Sequence, residues 1–90
     1  MRHPSPAALD QLEPLLVRLR VVEGLVEKKR GVFYRRSRAF LHFHEDPTGM
    51  HADVRLNESF ERFRVETPAE QEGLLAAIID VLRPDPSRAG

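Results

Sequence analysis

The sequence predicts an α+β domain: a four-stranded antiparallel meander between an N-terminal and a C-terminal helix, with both helices on one face of the sheet. Three observations predict it. Leucines recur at helical spacing near the start of the chain, apolar and polar residues alternate through its middle, and a capped apolar stripe lies near its end. The 90 residues suffice for one core. We therefore place a single domain at residues 6–83, between tails at 1–5 and 84–90 that we expect to be flexible.

Both predicted helices carry start signals. In the first helix, Ser5 is a suitable N-cap before Pro6, and Gly24 ends the helix. Its apolar stripe consists of Leu9, Leu12, Leu16 and Leu19. The second helix opens with Thr67 as N-cap and Glu70 three residues later, the pattern of a capping box.

Four runs between the helices are predicted to be strands, namely Val32–Arg35, Arg38–Glu45, Met50–Leu56 and Phe60–Glu66. A loop at Asp46–Gly49 pairs Glu45 with Met50, whereas a loop one residue shorter would mix apolar and charged side chains on one face. Burial favours the first register. The inner face is then predicted to carry Val32, Tyr34, Leu41, Phe43, Met50, Ala52 and Val54.

The outer face is predicted to combine aromatic rings with arginines, a patch that monomers rarely leave exposed. Its predicted binding residues are Phe33, Arg35, Arg38, Phe40, Arg55, Phe60, Arg62 and Arg64. This composition favours a non-enzymatic interaction module. Its partner is expected to be a second copy of the chain, forming a dimer, or else an anionic ligand.

Single-stranded nucleic acid is one such anionic partner. Bases could stack on the phenylalanine rings while guanidinium groups hold the phosphates. The stretch from residue 28 to 38 adds further basic side chains with no acidic residue among them. No consensus of an RNA-binding module surrounds Phe33 or Phe40.

A divalent metal is the alternative ligand of this face. His42 and His44 are two residues apart on one strand, so both project from the same side. The chosen register sets His51 opposite His44 and Asp53 opposite His42. Three imidazoles and a carboxylate suit zinc or another transition metal. No other cofactor is predicted.

Catalysis is less favoured than binding. His42 and Asp53 could act as a base and its orienting group, but the outer face offers no nucleophile and the chain has no cysteine. A domain of this size also encloses a substrate poorly. We assign no catalytic residue and lean against an enzyme.

Composition excludes several classes of protein. The absence of cysteine excludes disulfides and thiolate metal sites. Fourteen basic residues balance fourteen acidic ones, so net charge predicts no partner. No apolar run approaches about 18 residues and no signal peptide is visible, so we expect a cytoplasmic protein with no membrane contact.

The central segment also resembles a family of small bacterial proteins with no established activity. The resemblance covers residues 25–82 and rests on Gly31 to Tyr34, Phe40 to Asp46, Gly49, Ala52 to Arg55, Phe60 to Phe63 and Glu70-Gln71. It implies a self-contained helix–sheet–helix domain from a bacterial cytoplasm. It implies no catalytic residue, cofactor or ligand.

Overall fold

The computed structural model describes residues 2–83, so the predicted tail at 84–90 lies outside the described part of the chain. Its elements are helix α1 (Pro6–Arg20), strands β1 (Val26–Lys29), β2 (Val32–Arg35), β3 (Arg38–Asp46), β4 (Gly49–Val54) and β5 (Glu61–Arg64), and helix α2 (Pro68–Leu82). The strands form one sheet in the order β1-β2-β3-β4-β5, and all neighbours are antiparallel. The α+β prediction is confirmed. Within residues 2–83, no helix is long and apolar enough to cross a membrane.

The sheet has five strands, and the prediction of four is wrong. The additional strand β1 pairs with β2, with Val26 opposite Tyr34. Its sequence, Val-Glu-Lys-Lys, contains one apolar residue and therefore shows no alternation that would reveal a strand. Charged side chains are typical of an edge strand because they discourage pairing with another chain.

The predicted N-caps of both helices form, whereas α1 ends at Arg20 and not at Gly24. The Ser5 side chain accepts a hydrogen bond from the backbone N–H of Ala8 at 3.2 Å. At the start of α2, the Thr67 hydroxyl accepts from the Glu70 N–H at 3.1 Å, while the Glu70 carboxylate accepts from the Thr67 N–H at 3.0 Å. This reciprocal pair satisfies two amides that the helix itself leaves without partners.

The pairing of β3 with β4 follows the predicted register. Glu45 lies opposite Met50, and Phe43 lies opposite Ala52. The side chains on this side of the two strands are buried in one cluster with leucines of both helices; they are Leu41, Phe43, Met50, Ala52 and Val54. We call this side of the sheet the core face and the opposite side the outer face.

A β-bulge between β2 and β3 overturns the predicted surface position of two phenylalanines. Arg35 pairs with Arg38, but Phe33 then pairs with Leu41 because Phe40 is an extra residue in β3. Phe33 and Phe40 are consequently 0% and 2% exposed. The bulge is stabilised because it brings two large apolar rings into the core.

The same bulge moves the side chains of Val32 and Tyr34, the two neighbours of Phe33, to the opposite face of the sheet from the one predicted. Val32 lies opposite His42, whose side is the outer face, and Tyr34 follows Val32 at an interval of two. Both residues are half-buried. The prediction that Val32 and Tyr34 belong to the inner face is therefore wrong, since it assumed an uninterrupted pairing.

The segment predicted as an N-terminal tail contacts the sheet. Arg2 and Glu45 exchange backbone hydrogen bonds of 3.3 and 2.9 Å, so residues 2–5 run antiparallel to the end of β3. Pro4 is buried. We call residues 2–5 the N-terminal arm.

Burial of the two rings predicts a difference in stability between phenylalanine variants. We expect Phe33→Ala and Phe40→Ala each to lower the free energy of unfolding by about 3–5 kcal/mol. Phe60→Ala should cost much less, because Phe60 is 38% exposed. Denaturant unfolding measures all three, and Phe33→Leu and Phe40→Leu serve if the alanine variants do not fold. A Phe40 variant as stable as its Phe60 counterpart would contradict the bulged register.

Candidate metal centre

The register of β3, β4 and β5 brings polar side chains into two rows across the outer face. His42 and Arg62 flank Asp53 in one row. His44 and Arg64 flank His51 in the next. The placement of the histidines and Asp53 follows from the predicted pairing of β3 with β4, which is confirmed.

Three of these side chains converge on one point. Nε2 of His44 lies 3.0 Å from Oδ2 of Asp53, and Nε2 of His42 lies 3.5 Å from the same oxygen. One potential ligand atom from each of His42, His44 and Asp53 falls within 4.8 Å of the other two. The sheet therefore presents two imidazoles and one carboxylate together.

These separations suit a tetrahedral ion. With zinc–ligand bonds of about 2.0–2.1 Å, two ligand atoms in a tetrahedral site lie about 3.3 Å apart. The distances from the two histidines to Asp53 bracket that value.

His44 is unusual because it is polar, buried and without a well-formed hydrogen bond. It is 6% exposed, and both ring nitrogens lack a hydrogen-bond partner within the described chain. Asp53 Oδ2 lies 3.0 Å from Nε2, an electrostatic contact, so Nδ1 is the ring nitrogen left without any partner among the described residues. Burial lowers the pKa of His44, against the opposing effect of Asp53, so the neutral form that ligates metals is favoured.

Asp53 is held as a carboxylate by its neighbours. Arg62 donates from Nε to Oδ1 at 3.1 Å and from Nη2 to Oδ2 at 3.4 Å. Burial acts to raise the pKa of Asp53, but the hydrogen bond from Arg62 and the charges of His44 and Arg62 outweigh it and lower the pKa. The shorter contact leaves Oδ2 directed mainly toward the two histidines.

His51 lies beside the three-residue cluster and not in it. Its ring stacks on that of His44 with 6.1 Å between centroids. Its Nδ1 faces Oδ2 of Asp46 at 3.8 Å and has no hydrogen-bond partner within residues 2–83. The structure thus brings together three of the four predicted metal ligands.

The predicted basic–aromatic surface is dispersed. Of its three rings only Phe60 is exposed to solvent. The Arg55 guanidinium lies 4.4 Å from the centre of the Phe60 ring, and the His42 ring contacts it edge-on with 5.4 Å between ring centres. Arg62 is paired with Asp53, and Arg64 with Glu70 at 3.4 Å. Arg35, Arg38 and Phe40 line one pocket near the β2–β3 turn, and Arg55 lines the same pocket.

The sequence analysis missed residues that border the cluster. Because Arg2 pairs with Glu45, His3 comes beside His44 at the edge of β3. His3, Lys29, Val32 and Tyr34 line one groove together with His42, His44 and Asp53. A histidine beside Pro4 and Ser5 in a predicted tail gives no sequence signal of such a contact.

Comparison with known proteins adds no functional assignment. No protein-family model, curated protein or solved structure matches the chain. The geometry of the outer face therefore carries the functional argument.

The lowered pKa of His44 predicts how stability depends on pH. The unfolded chain binds a proton near the ordinary pKa of about 6.5, while the folded chain resists it. Stability should therefore fall as pH decreases from 7.5 to 5.5, and His44→Gln should flatten this slope. Denaturant unfolding in the presence of a chelator measures both slopes. His3, whose pKa burial also lowers, contributes in the same sense, so the slope should not vanish. An unchanged slope in His44→Gln would contradict the assignment.

Proposed function

We propose that this protein binds a divalent transition-metal ion, best matched by zinc, through His42, His44 and Asp53. The observation that carries the proposal is the buried His44, whose Nε2 lies 3.0 Å from the same carboxylate oxygen that Nε2 of His42 approaches to 3.5 Å. A buried polar group without a hydrogen bond calls for a ligand that satisfies it. A metal ion bound at Nε2 would satisfy that nitrogen, while Nδ1 would still lack a hydrogen-bond partner among the described residues.

The chemistry of the donors selects the metal. Imidazole nitrogen suits zinc, copper and nickel, whereas magnesium and calcium require oxygen ligands. Two histidines and one aspartate leave one position of a tetrahedral ion open, as in zinc sites that bind an exchangeable ligand.

The surroundings leave room for such an ion. We take both helices to pack on the core face, because their leucines share one buried cluster with Leu41 and Phe43. The outer face then stays accessible at the cluster, where the His42 side chain is 41% exposed. Entry of an ion would require no opening of the core.

Arg62 both opposes and assists the ion. Its charge disfavours a nearby dication, but the dication meets the full negative charge of Asp53, whose pKa Arg62 helps to lower. The guanidinium also orients the carboxylate, since it donates its shorter hydrogen bond to Oδ1. Partners that orient a ligand in this way are usual around metal sites.

Zinc titration tests the proposal directly. We expect one zinc ion per chain in calorimetry at pH 7.5, and a melting temperature that rises with zinc concentration. His44→Ala and Asp53→Ala should each weaken binding by about 100-fold or more. Binding should also weaken as pH falls through the imidazole range, because protons compete for the ligands.

His51→Ala is the matched control for that titration. His51 is on the same face but outside the cluster, so its loss should leave zinc affinity within about threefold. Absence of zinc binding by the wild type would refute the proposal. Loss of binding in His51→Ala would instead restore the four-residue site predicted from sequence.

An anionic polymer is a second candidate ligand, at a different place. Arg35, Arg36 and Arg38 crowd a two-residue turn in which Arg36 and Ser37 have φ of 52° and 67°. Among the described residues, no carboxylate lies within 4.0 Å of these three guanidinium groups. Unpaired arginines at the tip of a turn suit phosphate contacts.

The burial of Phe33 and Phe40 removes the support for base stacking and for a phenylalanine-centred dimer.

Salt dependence tests this second candidate. Three phosphate contacts would give a logarithmic salt slope of about −2 for a single-stranded oligonucleotide. Replacing both Arg36 and Arg38 by glutamine should reduce the slope by about 1.4 units. Fluorescence anisotropy measures it, with Arg18→Gln on α1 as the control. An oligonucleotide that does not bind at low salt, or binds equally well to the double variant, would rule it out.

A further inference from the structure

A groove on the outer face leads to the proposed metal position. It has a volume of about 420 Å³, within the range of small-molecule sites, and the three proposed ligands form one part of its wall. The N-terminal arm contributes Arg2 and His3, and the β1–β2 hairpin contributes Lys29, Val32 and Tyr34. The groove therefore has the three proposed metal ligands on one part of its wall and basic, apolar and aromatic side chains on the rest.

The charges around the groove favour an anion. Arg2 and Lys29 line it, and its one carboxylate, Asp53, is already paired with Arg62. The single ion pair of Arg2, with Glu45, is long at 4.0 Å. Within residues 2–83, Lys29 has no carboxylate within that distance. Both cations are thus available to a negatively charged ligand.

The remaining wall is apolar. Val32 and Tyr34 face the groove because the β-bulge turns them to the outer face. Lys28 places its amino group 5.7 Å from the centre of the Tyr34 ring, adding a further positive charge at this end. A ligand here would bury a short apolar body against Val32 and Tyr34 while its charged head remains near the cations.

We infer that the groove binds a small organic oxyanion whose head completes the coordination of the metal and whose apolar body packs against Val32 and Tyr34. This inference rests on the proposed function, because the open position of the ion holds the head. The buried His44, which carries the proposed function, also lines the groove, so the ion that it would bind lies at the wall of the groove. The head is a carboxylate or a phosphate monoester, which share this oxygen chemistry.

Cobalt-loaded protein provides the test. Visible absorption of Co²⁺ reports changes in its ligands, and the probes are acetate, hexanoate and hexyl phosphate. We expect hexanoate or hexyl phosphate to change the spectrum and to bind about tenfold more tightly than acetate or inorganic phosphate, respectively, because the longer chain buries methylene groups. The better of the two identifies the head group, and either one supports the inference.

Two groove variants and one charge-matched control outside the groove locate the site of binding. Lys29→Glu should weaken the better probe by about tenfold, whereas Arg36→Glu, an equal change of charge at the β2–β3 turn, should leave it within about twofold. Val32→Asn should remove most of the advantage of the six-carbon chain over the short probe. Equal effects of Lys29→Glu and Arg36→Glu would show that only overall charge matters and would overturn the groove as the site.

The outcomes separate this inference from the proposed function. If Co²⁺ and zinc do not bind, both the proposed function and this inference fail. If the metal binds but no probe changes the spectrum, the inference alone fails. It also fails if His3→Ala alters the Co²⁺ spectrum without any anion, because His3 would then occupy the position assigned to the oxyanion.

Discussion

The outer face depends on one constraint, the burial of the apolar residues shared by β3 and β4. Phe43 and Ala52 are a buried pair at 1% and 0% exposure, and Leu41 and Val54 are the next. A shift of one residue in the pairing would expose one strand's apolar set. Burial of these residues on the core face therefore fixes which side chains point to the outer face. His42, His44 and Asp53 are among those side chains.

Asp53 is the electrostatic centre of that face. Two histidines and one arginine surround it, and Arg62 provides the hydrogen bonds that keep it charged. Burial disfavours a charge on His44, while the carboxylate beside it favours one, and the lowered pKa shows that burial has the larger effect. A neutral imidazole beside an ionised carboxylate is the protonation state that a metal site needs.

The β-bulge at Phe40 decides the character of the remaining surface. By admitting one extra residue it places two rings in the core and turns Val32 and Tyr34 outward. The sequence predicted an aromatic interaction surface here. The structure instead has a groove in which an apolar wall, Val32 and Tyr34, lies beside the polar cluster of His42, His44 and Asp53. The N-terminal arm closes one side of that groove, and its contact with Glu45 also brings His3 beside His44.

Local sequence patterns alone determine much of this protein. Ser5 and the Thr67–Glu70 capping box start the two helices, and alternation sets the pairing of β3 with β4. That pairing places His42, His44, His51 and Asp53 on one face, but only the structure shows that His51 lies outside the cluster. The caps and the pairing can be predicted because each depends on neighbours along the chain or on a strict period of two. Strand β1, the bulge at Phe40 and the docking of the arm could not be predicted from pattern. Each is decided by backbone pairing or by the filling of a shared core, where the free energy depends on distant residues.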